Sequence, residues 1–434
     1  MKLRRVSSLT LLVLQVPIVA AFAWSYASLT PESQRQVRRA ITSKPQYVEI
    51  PLERETPLVI APLYDDPQMV GDEELAAVLT KVVPHFPAKK MKPNHVEHAL
   101  RTWHVDAEFQ DPDALSGVKM RDFLVDHGRF LASWEPDVPG VEPLLQERPA
   151  DGIYIRWGRE TGSSVHHDHM LACLTEAGVP LSQPVFTPNR RDLTFRDVLR
   201  ESLRDFRYDE RETEWSVMAF GLWLPPTKSW KLADGREMSF DMLAKRLLRG
   251  HKQMGTCGGT HRLYSLMVLL RLDEQFDILS DDVNSAVFKH LESIRDLLKV
   301  CQFEDGHWPY NWPNGEESVK KPDLTIPLYR HVIATGHHLE WLSIAPESLH
   351  PPREQIRQAA AWVIQKTLAI NEAEILDNYT FYSHVGNALC LWRSTNPSKF
   401  WKEWEATHPF VAKPKTVSDK SDVEAETSGA AAKH

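Results

Sequence analysis

The chain has 434 residues, 42% of them hydrophobic and 25% charged, enough to bury one large core or two smaller ones. Its net charge of −8 excludes a general nucleic-acid binder, which needs a basic face against the phosphates. The four cysteines, Cys173, Cys257, Cys301 and Cys390, are too few and too scattered for a disulfide scaffold.

In chain order, the basic "MKLRR" comes first, followed by "VSSLTLLVLQVPIVAAFA" with no further charge before Glu32. Leu9–Leu29 is long enough to span a bilayer, with the positive residues left on the cytoplasmic side. Ala21-Phe22-Ala23 offers the alternative, a small-x-small cleavage site of a secretory signal. Residues 1–30 are therefore expected to be a hydrophobic helix, acting as a signal anchor or a signal peptide. The anchor reading makes a single-pass membrane protein with an extracytoplasmic domain, and cleavage makes a secreted or periplasmic one. Residues 31–71 read as a linker packing along the outside of the domain. Residues 412–434 are small, polar and without apolar periodicity, as in a disordered tail.

Between these ends two kinds of segment alternate. Charged, amphipathic stretches begin at Asp72, Val118, Phe195, Phe240, Ser285 and Arg353, with apolar residues at three- and four-residue spacing. The segments between them are apolar nearly all round, as in helices buried on every side. These begin "HALRTWH" at His98, "HMLACLT" at His169, "WSVMAFG" at Trp215, "HRLYSLM" at His261, "HHLEWLS" at His337 and "HVGNALC" at His384. From His169 onward three of the four intervals are 46, 46 and 47 residues, which marks a repeat. Six charged outer helices alternating with six apolar inner ones predict an all-α (α/α)6 toroid over residues 72–411. The only strand signal is "DGIYIRWGR" from Asp151, one half of a hairpin inside the first long insertion.

If the six copies are equivalent, His98, His169, His261, His337 and His384 start the inner helices, with Trp215 in the sixth place. They then gather at one mouth of a central cavity, where helix N-termini favour a polar or anionic ligand. Imidazoles there can act as general acids, general bases or metal ligands. The competing reading has each histidine capping its helix or filling a slot in the inner barrel. His166–His169, "HHDH", offers metal ligands, or simply a polar loop with Asp168 as N-cap. Cys257 with His261 offers a thiolate and an imidazole, or a glycine turn with Thr260 capping the next helix. Glu214, Asp323, Glu340, Asp377 and Asp168 are the carboxylates from which an acid–base pair can be drawn.

Gln302-x-x-Asp305-Gly306-x-Trp308 resembles the Q-x-x-x-G-x-W turn of squalene–hopene cyclases and protein prenyltransferase β-subunits. The resemblance implies an (α/α)6 toroid with a central cavity. The chain carries no D-x-D-D stretch, so the cyclase acid motif is missing. Gly336-His337-x-x-Glu340-Trp341 is similar to a stretch of N-acylglucosamine 2-epimerase-type barrels, a resemblance that implies inner-helix histidines handling sugar protons. Three functions remain open. The first is an enzyme acting on a small molecule in the cavity, with His169, His261, His337, His384, Asp305 and Glu340 as its catalytic residues. The second is a sugar-processing enzyme of the epimerase or hydrolase type. The third is a non-catalytic, surface-anchored binding or scaffold protein. No cofactor is assigned by the sequence.

Overall fold

The computed structural model describes residues 8–29, 34, 50, 52–148, 152–232, 235–249 and 256–412. Nearly all of the expected tail, and the linker before Ile50 apart from Gln34, lie outside these. The chain divides into two compact units, Met1–Glu49 with Lys231–Glu237, and Ile50–Trp230 with Met238–His434. In the first unit Ser8–Ala27 is helical, with Pro17 inside it. No helix among the described residues is long and apolar enough to cross a membrane. That overturns the single-pass anchor expected from the N-terminal run, and the extracytoplasmic placement that rested on the anchor loses its basis. Gln15 and Pro17 put a polar residue and a helix-weakening one inside the run.

The second unit is mostly helical. The charged segments form helices Asp72–Lys81, Gly117–Val125, Phe195–Asp205, Phe240–Arg249, Asp281–Cys301 and Arg353–Ala369. Each buries one stripe: in Phe240–Arg249 the buried residues are Phe240, Leu243, Ala244 and Leu247, one face of a 3.6-residue period. The apolar segments form Pro93–Trp103, His169–Glu176, Glu214–Trp223, Thr260–Phe276, Leu328–Ser343 and Tyr379–Trp392. All ten residues of Glu214–Trp223 are buried. Here we name these six after His98, His169, Trp215, His261, His337 and His384. The His98 helix packs on the His169 helix, that one on the Trp215 helix, and so on in order, until the His384 helix packs back on the His98 helix.

Two devices hold this arrangement. Residues 52–70 cross the C-terminal ends of several of the six helices without forming a helix themselves. Leu58, Leu63 and Asp66 donate backbone N–H groups to the carbonyls of Leu222, Ser343 and Trp392 at 3.0, 3.0 and 2.8 Å. Those carbonyls have no partner within their own helices.

The second device is the turn after the Asp281–Cys301 helix. Gln302 Nε2 donates to the carbonyls of Gly306 and Gln355, both at 2.7 Å. The Trp308 indole, fully buried, donates to the Leu298 carbonyl at 3.1 Å. The turn thus fastens Asp281–Cys301 to Arg353–Ala369. Gly306 sits at φ +102°, and a Cβ there would stand 2.6 Å from the Gln358 carbonyl oxygen. The expected hairpin is present as Leu145–Glu147 paired antiparallel with Ile153–Ile155.

Candidate functional site

The repeat places its histidines less regularly than their spacing suggests. His169 is the first residue of its helix and His261 the second. His337 lies ten residues into Leu328–Ser343, and His98 and His384 six residues into theirs. Histidines at the helix starts are therefore the exception. The apolar segments give no periodic signal of where they begin, and three of the helices run about one and a half to two and a half turns further back.

The side chains nevertheless meet. The ring centres of His337 and His384 are 3.9 Å apart, those of His261 and His337 4.1 Å, and those of His261 and His384 5.5 Å. His98 lies 4.6 Å from His169 and 5.2 Å from His384. Trp215 stands between His169 and His261, at 4.6 and 4.1 Å. All five imidazoles are buried. Four of them, His98, His169, His261 and His384, line a cavity of about 140 Å³ together with Trp215 and Cys257. Burial pushes the pKa values of His98, His169, His261 and His384 well below the usual histidine range, so these rings are neutral.

Two carboxyl groups orient the rings. Glu340 Oε2 accepts from His337 Nδ1 at 2.5 Å, which leaves His337 Nε2 buried and without a partner. Its other oxygen accepts from Arg101 Nη1 at 3.0 Å and Asn387 Nδ2 at 2.8 Å. Burial alone would raise the pKa of Glu340, but Arg101, with His384 and His337, holds it well below the carboxylate range. Arg101 is itself buried and donates through Nε to Glu176 at 2.6 Å, and Tyr264 donates to the same carboxylate at 2.9 Å. His384 Nδ1 touches both partners, Arg101 Nη1 at 2.8 Å and the Glu340 oxygens at 3.1 Å. Bonded to Glu340, this ring offers Nε2 as an acceptor. Bonded to Arg101, which only donates, it offers Nε2–H. Nε2 has no partner in either case.

The second carboxyl is Glu97, fully buried on the His98 helix. Its Oε2 lies 2.5 Å from His169 Nδ1 and accepts from the Ser164 hydroxyl at 3.1 Å, while Oε1 has no partner. Burial pushes its pKa up to about 8, against the Ser164 hydrogen bond. At neutral pH Glu97 therefore keeps its proton and shares it with His169 Nδ1, whereas Glu340 is ionised.

Cys257 enters the cavity wall from a tight turn. Cys257, Gly258 and Gly259 have φ of 51°, 71° and 84°, three left-handed residues in succession. The Thr260 hydroxyl donates to the Cys257 carbonyl at 2.8 Å, and the Trp312 indole to the Gly258 carbonyl at 3.0 Å. Gly259, not Thr260, occupies the cap position. Cys257, His261 and His337 each bring a potential ligand atom within 4.8 Å of the others, as do His337, Glu340 and His384.

Of the predicted residues, His169, His261, His337, His384 and Glu340 come together, and Asp305 does not. Asp305 accepts from His307 at 2.5 Å and from the Trp362 indole at 2.9 Å, so it holds the turn that fastens two outer helices. In "HHDH" His166 lines the cavity with His169, whereas His167 and Asp168 point elsewhere. His166 pairs with Glu212 at 2.7 Å and His167 with Glu210 at 3.0 Å, while Asp168 accepts from Ser202 and Ser216. Asp168 stands at the cap position of its helix, in a left-handed conformation and without a capping side-chain bond. Of the other carboxylates, Glu214 is buried and Asp323 caps an exposed turn through Thr325.

Sequence reasoning missed Glu97, Arg101, Glu176 and Tyr264 as site residues. A signal existed for the first two, because "EHALR" sets an acid and a base four apart, on one face of a helix. Comparison with family models, with curated proteins and with solved structures returns no match.

Proposed function

We propose that the chain is an enzyme built as an (α/α)6 toroid, and that it carries out acid–base chemistry on a small polar molecule held among the inner-helix histidines. The observation that carries this reading is the convergence of buried imidazoles from four inner helices, His98, His169, His261 and His384, on one cavity, with His337 packed behind His261 and His384. The cyclic packing of those six helices, each followed by a charged helix, supports the toroid.

Structure alone gives little reason for such a site. A core needs no ionisable groups, and well-packed apolar residues are often as stable in their place. Here His337 Nε2, His384 Nε2 and Glu97 Oε1 are buried without partners, at about 1–3 kcal/mol each. Of these, His384 lines the cavity, where a substrate would satisfy its bare nitrogen. A binding scaffold would have no use for two carboxyl–imidazole pairs in opposite protonation states. Carboxyl groups pushed apart in pKa are how one site holds both an acid and a base near neutrality. On this reading Glu97 and His169 keep a proton at one wall. Ionised Glu340 fixes the rings of His337 and His384 at another, and His384 can present either an acceptor or a donor.

The cavity is smaller than the roughly 300–1,000 Å³ of sites for drug-sized ligands, and its lining is rich in nitrogen. Both features favour a small polar metabolite over a long isoprenoid. A sugar or polyol is the second reading, favoured by the His337–Glu340 pair inside the Gly336–Trp341 stretch.

A panel of small polar metabolites can be screened by thermal shift, and compounds that stabilise the protein then incubated with it in D2O. The reading predicts solvent deuterium entering the compound at a rate that falls at least tenfold in His384→Gln and Glu97→Gln. Stabilisation unchanged in both variants, with no deuterium incorporated, would contradict it.

A further inference from the structure

We propose that Cys257, His261 and His337 bind one divalent transition-metal ion of the zinc class at the wall of the histidine cavity. Their ligand atoms lie within 4.8 Å of one another, close enough for small side-chain adjustments to bring them onto one ion. A thiolate with two imidazoles suits zinc and its neighbours rather than calcium or magnesium, which take oxygen ligands. Three protein ligands with a fourth position open is the usual form of a catalytic zinc site. The 140 Å³ space beside Cys257 and His261 leaves room for a water or substrate there.

The surroundings of His337 point the same way. Its Nδ1 is bonded to Glu340 at 2.5 Å, and its buried Nε2 has no partner. A metal-bound histidine ordinarily has this arrangement, one nitrogen held by a carboxylate and the other free for the ion. Glu340 is in turn fixed by Arg101 and Asn387, so the outer ring of partners is complete. The other cluster, His337, Glu340 and His384, is the weaker candidate because the Glu340 oxygens are already engaged. Cys257 is presented by a turn pinned at both the Cys257 and Gly258 carbonyls. On binding, the thiol loses its proton to solvent and the sulfur forms the bond to the ion.

The inference rests on the same cavity as the proposed function, yet it can fail alone. The purified full chain, stripped with a chelator, is titrated with Zn²⁺ against a chromophoric competitor and separately with Co²⁺. The expected result is one ion per chain and a Co²⁺ form with a thiolate-to-cobalt charge-transfer band. Cys257→Ser removes that band while circular dichroism stays unchanged, and His261→Ala abolishes stoichiometric binding. Glu340→Gln, which keeps the shape but not the charge, weakens binding roughly 10- to 100-fold. A wild-type chain that takes up no stoichiometric Zn²⁺, or a Cys257→Ser chain with the wild-type cobalt spectrum, overturns the site. If the metal fails but deuterium exchange persists and depends on Glu97, only this inference falls. If the ion binds but no metabolite does, the proposed function falls instead.

Discussion

Glu97 and Glu340 are both glutamates, buried within one cluster, and they hold different protonation states. Glu340 has Arg101 beside it, whereas Glu97 has only neutral partners in Ser164 and His169. The pKa of Glu97, about 8 in the folded chain against 4.5 when exposed, has a consequence for stability. A folded-state value above the unfolded one means that the protonated form is favoured by folding. Its stabilisation is complete below about pH 4.5 and is lost as pH rises through about 8. Relative to Glu97→Gln, the wild type should therefore lose stability steadily between those pH values in urea unfolding. Parallel curves for the two proteins would show that Glu97 is ionised throughout.

At this scale the sequence was legible where residues recur. His169, His261, His337 and His384 stand out because each opens a copy of one pattern. Glu97 and Arg101 do not recur, and a charged residue on an apolar helix looks like a solvated position until a partner from another helix is seen. Cys257 likewise has no counterpart in the other copies. Its neighbours in space, His261 and His337, lie in different copies of the repeat.

At the scale of elements, amphipathic helices announce themselves and uniformly apolar ones do not. Asp72, Phe195, Phe240 and Arg353 were read as helix starts and are helix starts, because the change from polar to periodic sequence is sharp there. The His337 and His384 helices begin well before the residues that mark them, since no polar face fixes their boundaries.

The Gln302–Trp308 turn was legible as a motif, but Asp305 within it was misassigned to catalysis. Its carboxylate accepts from Trp362 on the neighbouring Arg353–Ala369 helix. Gly306→Ala tests the fastening role. The added methyl meets the Gln358 carbonyl at 2.6 Å from a backbone at φ +102°, a combination of strain and clash of order 1–3 kcal/mol. Chemical denaturation should show a loss of that size, with deuterium incorporation by the residual folded protein unchanged. A variant as stable as wild type would remove the turn from the account of how the outer helices are held.

At the scale of the whole molecule, the long-range closure was only partly visible. The spacing of 46 and 47 residues suggested equivalent units, but only packing joins the first inner helix to the last. There Arg101 of the His98 helix meets Glu340 of the His337 helix and His384 of the final one. The N-terminal run shows the opposite failure. Its composition suggested a membrane anchor, whereas no helix among the described residues is long and apolar enough to cross a membrane.

The central claim is that His98, His169, His261 and His384, from four inner helices, form one functional cavity. Histidine-selective ¹⁵N-labelled protein, titrated with the metabolite that most raises its melting temperature, tests this directly. The account predicts that the ring-nitrogen resonances of His98, His169, His261 and His384 shift together and saturate at one equivalent, while those of exposed His85 and His408 stay fixed. Resonances of the buried histidines that stay unchanged while the melting temperature rises would contradict it.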